Sequence, residues 1–453
     1  MADVIKIKKG LDIHLEGHAE EVSLKSGKSK TYAVYPTDFD GITPRVTVKA
    51  GDRVNAGSVL MEDKNLPEIK FVSPVSGDVT AINRGEKRKL LSIVITADEA
   101  ITYEEFGVKS LPDMKSGDVK QCLLAAGLWP FIKQRPYDMV ADPQIAPRDI
   151  FVSTFDSSPL APNFAFVLQG EEEHFKTGLN ALQKMTEGKV YLGVKNEDIL
   201  KGLIHANEKD FKVTVFDGPH PAGNAGVQIN HIKPINKGET VWTLCANDVL
   251  LIGRLFNKGI ADFSRKIAVT GSQVTGRGYA DVIMGTEIKS ILQGRVNDNG
   301  HLRCISGNVL TGTKISPDGH LRAYHTQVTV IPEGDNVHEM LGWAMPRLNQ
   351  FSTSRTYFSW LFRKKTYNLD ARVKGGERAI IMSNDYDRVF PMNILPEYLL
   401  KAVIAFNIDK MEKLGIYEVA PEDFALCEFV DASKIEIQQI VRDGLNKLYK
   451  ELH

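Results

Sequence analysis

Two half-motifs in the first hundred residues constrain the chain most: GDRVNAGSVL at 51–60 and SPVSGDVTAI at 73–82. Each sets glycine where a tight turn asks for positive φ, with Val, Leu or Ile alternating around it. Short alternating runs of this kind bury one face and leave the other to solvent. Two of them in close succession predict a small two-layer β structure rather than helices.

The paired pattern GDxVxxGxxL and PxSGxV resembles the biotinyl/lipoyl barrel-sandwich domain, expected to span residues 1–100. In lipoyl carriers a modified lysine sits on the hairpin between the half-motifs, and Lys64 occupies a similar place. The small residues that follow that lysine in carriers are replaced by Asn65, Leu66 and Pro67, so Lys64 reads as an exposed, unmodified hairpin lysine.

The period then changes. Residues 101–258 alternate strand candidates (149–155, 189–194, 211–216) with helical runs, which predicts a Rossmann-like α/β domain. Phe175, Leu179, Leu182 and Met185 make one apolar face of a helix over 170–185. Val249, Ile252, Leu255 and Phe256 do the same over 247–257. Residues 259–335 read as a strand at 266–270, the turn GSQVTGRGY, a second strand, a helix at 286–292 and further strands to 331. One helix against a small mixed sheet is a β-grasp, and its pattern resembles the soluble-ligand-binding β-grasp (SLBB) domain. Residues 336–453 read as helical, with Pro396 suited to a first turn. Ile435, Ile440, Val441, Leu445, Leu448 and Leu452 form a stripe on a final helix, expected to be a docked core face. The fold class is therefore α+β, multidomain.

Composition narrows the function. A formal charge of −1 over 453 residues gives no basic field for nucleic acid, and the run Arg363-Lys364-Lys365 reads as a solvated loop. Cys122, Cys245, Cys304 and Cys427 form no CxxC pair, so neither a closed metal site nor a disulfide framework is expected. The N-terminus lacks the apolar core of a signal peptide, and the longest apolar candidate, 395–408, is interrupted by Pro396, Glu397 and Lys401. If the protein works at a membrane, another chain is expected to hold it there.

The domain order resembles the flavoprotein subunit of complex I in its last three parts and the C subunit of the Rnf complex in all four. Those relatives carry a loop of the kind GLxGxGGAGFPT, whose bare backbone approaches flavin and nucleotide phosphates. The matching stretch here is Ala126-Gly127-Leu128-Trp129-Pro130-Phe131-Ile132-Lys133-Gln134-Arg135-Pro136, with bulky residues in place of the glycines. The Rnf relative further binds two [4Fe–4S] clusters through CxxCxxCxxxCP runs. Residues 383–396 and 426–434 align with those runs but keep only Cys427, with Asp431 where a cysteine is expected. One thiolate cannot hold a cubane.

The domain order, the GLWxxxxxRP segment, the string GPHPAG at 218–223 and the LCxFV…K tail together resemble the A subunit of sodium-translocating NADH:quinone reductases over essentially the whole chain. The resemblance implies a peripheral subunit on the cytoplasmic side of the cell membrane, docked on an integral membrane subunit. It implies no tightly bound cofactor or metal and no complete catalytic centre here, with FMN, iron–sulfur and NADH on other subunits and quinone as the substrate of the complex. A quinone head group needs flat apolar walls and one or two donors. Trp129, Phe131, Lys133 and Arg135, with His220 as a neighbour, are the candidate quinone residues. The alternatives are an NADH-oxidising flavoprotein of the Rnf or complex I kind and a non-enzymatic binding module.

Overall fold

The computed structural model describes residues 3–108, 110–196, 211–296, 300–335, 347–362 and 364–453. The half-motifs form two facing sheets. One orders Thr31–Val34, Leu90–Ala97, Gly77–Arg84 and Arg53–Val54; the other orders Pro44–Val46, Val59–Asp63 and Lys70–Val72. Leu60, Phe71, Val79, Ile93 and Ile95 fill the space between them. Gly77, at φ +155, lies so close to the next strand that a Cβ would stand 2.0 Å from the Thr96 carbonyl oxygen. Lys64 is exposed on the turn after Val59–Asp63, where the Asp63 carboxylate accepts from the backbone N–H of Thr43 and of Leu66. This is the barrel-sandwich hybrid.

The largest sheet has seven strands in the order Asp3–Lys6, Phe211–Asp217, Val190–Val194, Ile150–Ser153, Val241–Cys245, Lys133–Arg135 and Met139–Val140. The first five run parallel, and the last two form an antiparallel hairpin at the edge. Strand periodicity sends Ile150 and Val152 to one face, against helices Glu172–Gln183 and Ala246–Lys258. It sends Phe151 to the other face, stacked on Tyr191 at 4.8 Å and packed with Ile229 of helix Ala225–Ile232. The sheet is thus covered on both sides, as parallel sheets require.

The β-grasp unit pairs Thr313–Ile315, Leu302–Ser306, Gln327–Pro332, Ser264–Thr270 and Gly278–Ile283, with Ile288–Leu292 across one face. Two pieces of the first hundred residues join other sheets. Asp3–Lys6 lies parallel to Phe211–Asp217, and Ser23–Leu24 adds an edge strand beside Gly278–Ile283.

Among the described residues the α-helices of the C-terminal part begin at Tyr386, and 336–346, expected to be helical, lie outside the described residues. In the described residues from 347 to 385 the only helical element is the 3₁₀ turn Phe358–Leu361, because that stretch is rich in Ser, Thr and Gly and has no 3.6-residue apolar repeat. Pro396 opens Pro396–Ile404, and the final helix Ile437–Leu452 buries Ile437, Val441, Leu445 and Leu448 as a docked face. Leu452 is exposed. The core of this part is continuous with Ile7, Tyr137, Phe216 and Val227, so it seats on the flank of the parallel sheet.

Two buried carboxylates tie loops here: Asp431, where the alignment expected a cysteine, and Glu397, in the first turn of Pro396–Ile404. Buried Asp431 accepts from Tyr386 Oη at 2.9 Å and from the backbone N–H of Ser433 and Ile435 at 3.1 Å each. Buried Glu397 accepts from the backbone N–H of Asn384 at 2.8 Å and Ser383 at 3.2 Å. Burial raises the thiol pKa of Cys427 well above its ordinary value, with nearby carboxylates adding to the effect.

Candidate functional site

Parallel strands Ile150–Ser153 and Val241–Cys245 are neighbours, yet the chain leaves the first toward Val190–Val194 on one side and returns to the second on the other. That reversal leaves a crevice at the carboxyl ends of the two strands, where open α/β sheets place ligands. A cavity of about 460 Å³ lies there, walled by Ser153, Phe155, Thr243 and Cys245 from the strand ends. The loop before helix Ala225–Ile232 adds His220, Gly223 and Asn224; the edge hairpin adds Phe131 and Lys133. The remaining wall comes from Asp38 and Asp40, from the β-grasp residues Arg322, Tyr324 and His325, and from Glu422 and Gln438 of the C-terminal part.

The GLWPFIKQRP stretch is the pivot. Trp129 is fully buried, donates from Nε1 to the Ala141 carbonyl at 2.7 Å and meets Trp242 edge-on at 5.3 Å. Phe131 packs among Phe39, Phe263 and Tyr324, with ring centroids 5.8–6.1 Å away. Side chains therefore fill the space that a glycine cradle would leave open for phosphate, and Pro130 has no N–H to offer. These residues do not fit a flavin phosphate, and the lone Cys427 does not fit a cluster. Among the described residues no group of three or more His, Cys, Asp or Glu is placed to hold a metal ion.

The candidate quinone residues separate. Phe131, Lys133 and His220 line the cavity, whereas Trp129 and Arg135 are not on its walls. Lys133 and Arg135 share a strand with two-residue spacing, but each is captured differently. Lys133 Nζ stands 4.4 Å over the Tyr324 ring and 4.0 Å from the Asp138 carboxylate. Arg135 turns away into the C-terminal part, donating to Asp423 at 2.8 Å, Glu422 at 3.0 Å and the Glu418 carbonyl at 3.1 Å. Burial pulls the Arg135 pKa down, and the carboxylates of Asp423, Asp138 and Glu422 outweigh it, so the guanidinium stays charged.

His220 is held from two sides. Its backbone N–H donates to Asp12 at 2.9 Å, and its Nδ1 lies 3.0 Å from Ser157 Oγ, which also accepts from Gly223 N–H. Burial pushes the imidazole pKa down to about 4, so it is neutral at physiological pH, and Nε2 has no hydrogen-bond partner among the described residues. His325, whose Nδ1 lies 2.8 Å from Ser306 Oγ, is pushed down to about 3 by burial and by nearby Arg322 and Lys133. Arg322 itself pairs with Asp38 at 2.6 Å and stacks on Tyr35 at 4.1 Å. Cys245 is a half-buried thiol whose pKa is raised well above the usual range, by desolvation first and by Asp248 second. It donates to Asp248 at 3.0 Å and is not poised as a nucleophile.

Arg322, Tyr324 and His325 were not legible as site residues. They lie in LRAYHTQ, a string without a recognised motif, and only the docking of the β-grasp unit over the sheet edge brings them to the cavity.

Three families of known domains match in the order the fold shows: the NqrA N-terminal barrel-sandwich hybrid domain over residues 5–98, the NqrA second alpha/beta domain over 114–261 and the NQRA C-terminal domain over 266–316. The A subunit of the Na(+)-translocating NADH-quinone reductase of Pasteurella multocida is 37% identical over 99% of this chain and 100% of its own length. The proteins of the same name from Photorhabdus laumondii and Neisseria meningitidis serogroup A are each 36% identical, again over 99% of this chain and 100% of theirs. A chain of an NAD+-reducing [NiFe]-hydrogenase superposes with a TM-score of 0.40 at 12% identity, covering 78% of this chain and 66% of that one. With relatives 36–37% identical over essentially its full length and each of its first three folded parts matched, the chain belongs to the NqrA family, the A subunits of Na(+)-translocating NADH-quinone reductases.

Proposed function

We propose that this chain is a peripheral subunit on the cytoplasmic side of a membrane complex that passes electrons from NADH to quinone and exports sodium. In this reading it docks on an integral membrane subunit, while FMN, iron–sulfur centres and NADH reside on other subunits. It holds a quinone head group in the cavity at the sheet's switch point. The observation that carries the quinone part is the composition of that cavity. Phe131, Phe155, Phe164 and Tyr324 supply ring faces, Lys133 supplies a cationic donor, and His325 and His220 supply neutral imidazoles. Flat apolar walls with a few donors suit a quinone, and a filled phosphate cradle disfavours a dinucleotide. No helix among the described residues is long and apolar enough to cross a membrane, so the docking must come from a surface.

The test is titration of a short-tailed quinone into wild type and into Lys133→Ala and His325→Ala, with Trp129→Ala as a core control. Affinity falls several-fold in the first two, whose thermal unfolding stays close to wild type. Trp129→Ala loses about 3–5 kcal/mol of stability through its cavity. Unchanged affinity in both folded wall variants removes the quinone from this cavity and leaves family membership standing. A visible spectrum of the isolated chain with stoichiometric flavin or cluster bands would overturn the placement of cofactors on other subunits.

A further inference from the structure

Residues 347–369 depart from the rest of the chain. They hold five Arg or Lys (Arg347, Arg355, Arg363, Lys364, Lys365) and no Asp or Glu, in a chain whose formal charge is −1. They also hold six aromatics, Phe351, Tyr357, Phe358, Trp360, Phe362 and Tyr367, about a quarter of the segment against 8% of the whole chain. Arg363 lies outside the described residues and counts here only as sequence.

The structure turns this segment inside out. In the 3₁₀ turn Phe358–Leu361 the serine faces in and the large apolar side chains face out. Ser359 is 7% exposed, while Phe358 is 44%, Trp360 48%, Leu361 54% and neighbouring Phe362 49% exposed. Polar bonds hold that orientation. The Ser352 backbone N–H donates to Ser359 Oγ at 3.1 Å, and Ser359 Oγ donates back to the Ser352 carbonyl at 3.2 Å. Lys365 Nζ closes the loop onto the Leu348 carbonyl at 3.0 Å and Asn349 Oδ1 at 2.7 Å. A loop stabilised only by water would reverse this arrangement, since an exposed contiguous apolar patch marks an interaction surface.

We propose that this segment seats directly on an anionic phospholipid surface, with Phe358, Trp360, Leu361 and Phe362 entering the headgroup region and Arg355 and Lys364 meeting lipid phosphates. Two features select lipid over a protein groove. Amphipathic aromatics beside Lys and Arg are the side chains that favour the membrane–water boundary, where a ring sits among headgroups and a cation finds phosphate. The complete absence of acidic side chains over 23 residues, 347 to 369, suits a surface that is uniformly negative, since a juxtamembrane basic cluster gains with every charge. Arg355 already lies over the Trp360 ring at 5.8 Å, so cation and ring reach the boundary together. The contact supplements docking through a membrane partner and is independent of the quinone site.

The experiment uses the full chain with vesicles of phosphatidylcholine alone and of phosphatidylcholine with phosphatidylglycerol. Binding by co-sedimentation is expected only with the anionic vesicles, and it weakens as salt shortens the Debye length from about 10 Å at 0.1 M. Trp129 and Trp242 are buried, and Trp343, outside the described residues, is replaced by Phe in the protein used for this measurement, so a blue shift on binding that Trp360→Phe then abolishes locates the contact. Arg355→Glu and Lys364→Glu each lower partitioning at least about fivefold, and Trp360→Ser/Leu361→Ser abolishes it. All should melt with wild type, because the side chains changed are exposed. Absence of binding to anionic vesicles overturns the proposal, as does binding that survives the Trp360→Ser/Leu361→Ser change. If these variants lose only copurification with an integral membrane subunit while wild type ignores vesicles, the surface is a protein contact and the lipid assignment fails.

Discussion

Arg442 of the final helix clamps Asp138 of the edge hairpin, its Nη2 meeting the carboxylate at 2.6 Å and its Nη1 the backbone carbonyl at 2.9 Å. The same Nη1 reaches the Tyr137 carbonyl at 3.0 Å. Tyr137 and Asp138 hold φ values of 79 and 49, a left-handed turn that costs L-residues about 1–2 kcal/mol each. The hairpin they close carries Lys133 into the cavity. The C-terminal part thus fixes one wall of the site from outside.

Replacing Arg442 by Ala should cost about 1–3 kcal/mol, read by urea unfolding, because three acceptors lose a charged donor. Amide exchange across residues 133–140 should rise. Arg442→Lys should recover little, since an ammonium cannot bridge the carboxylate and two carbonyls as a planar fork does. A lysine variant indistinguishable from wild type would show that the fork geometry is unimportant.

Arg135 and Asp423 form a second tie, at 2.8 Å, with side chains 1% and 0% exposed. Removing Asp423 leaves the buried guanidinium with only the Glu418 carbonyl and the more exposed Glu422 carboxylate. Asp423→Ala should therefore destabilise by about 3–5 kcal/mol. Arg135→Met/Asp423→Leu should regain much of that loss, because a well-packed apolar pair escapes the desolvation penalty. If the double replacement is as damaging as the single one, the pair acts through its geometry and not through charge burial.

His220 predicts acid lability. Its imidazole takes up a proton near pH 6.5 in the unfolded chain and only near 4 in the folded one. Between those values the unfolded state binds more protons, so stability falls as pH drops through the window and is fully present above it. The contribution is at most about 3 kcal/mol, at 1.36 kcal/mol per unit. His325, pushed down to about 3, extends the same slope further into acid. His220→Gln should flatten the dependence of the urea midpoint on pH between 6.5 and 4; an unaltered slope would assign the lability to other groups.

What the sequence made legible follows from the range of the interactions involved. Helix Ala246–Lys258 was readable because Val249, Ile252 and Leu255 repeat along a single helix. The half-motifs were readable because their turns are local. The partner of Asp3–Lys6 was not, since it lies at Phe211–Asp217 and a period-2 pattern says nothing about which sheet a strand joins. The site divides in the same way. Aligning the filled glycine loop brought out Phe131 and Lys133, but the same stretch holds Trp129, which supports the core, and Arg135, which binds the C-terminal part. Tyr324 and His325 enter only through domain docking, for which LRAYHTQ carries no local signal.

One substitution should have opposite signs at two helical glycines. Helices Glu172–Gln183 and Ala246–Lys258 cross at Gly178 and Gly253. A Cβ at Gly253 would lie 1.7 Å from the His174 carbonyl oxygen, and one at Gly178 would lie 2.2 Å from that of Val249. Both obstacles are backbone atoms, which yield only if the helices move apart. Gly253→Ala should therefore destabilise by about 1–3 kcal/mol, the cost of overpacking. Gly117, in helix Ser116–Ala125, has nothing within 4 Å of the place an added methyl would take. There alanine removes backbone freedom from the unfolded chain at no steric cost, and Gly117→Ala should stabilise by up to about 1 kcal/mol. Denaturant midpoints of the two variants, at equal slope, should move in opposite directions. A Gly253→Ala variant as stable as wild type would mean that the two helices are not held at the close approach seen here.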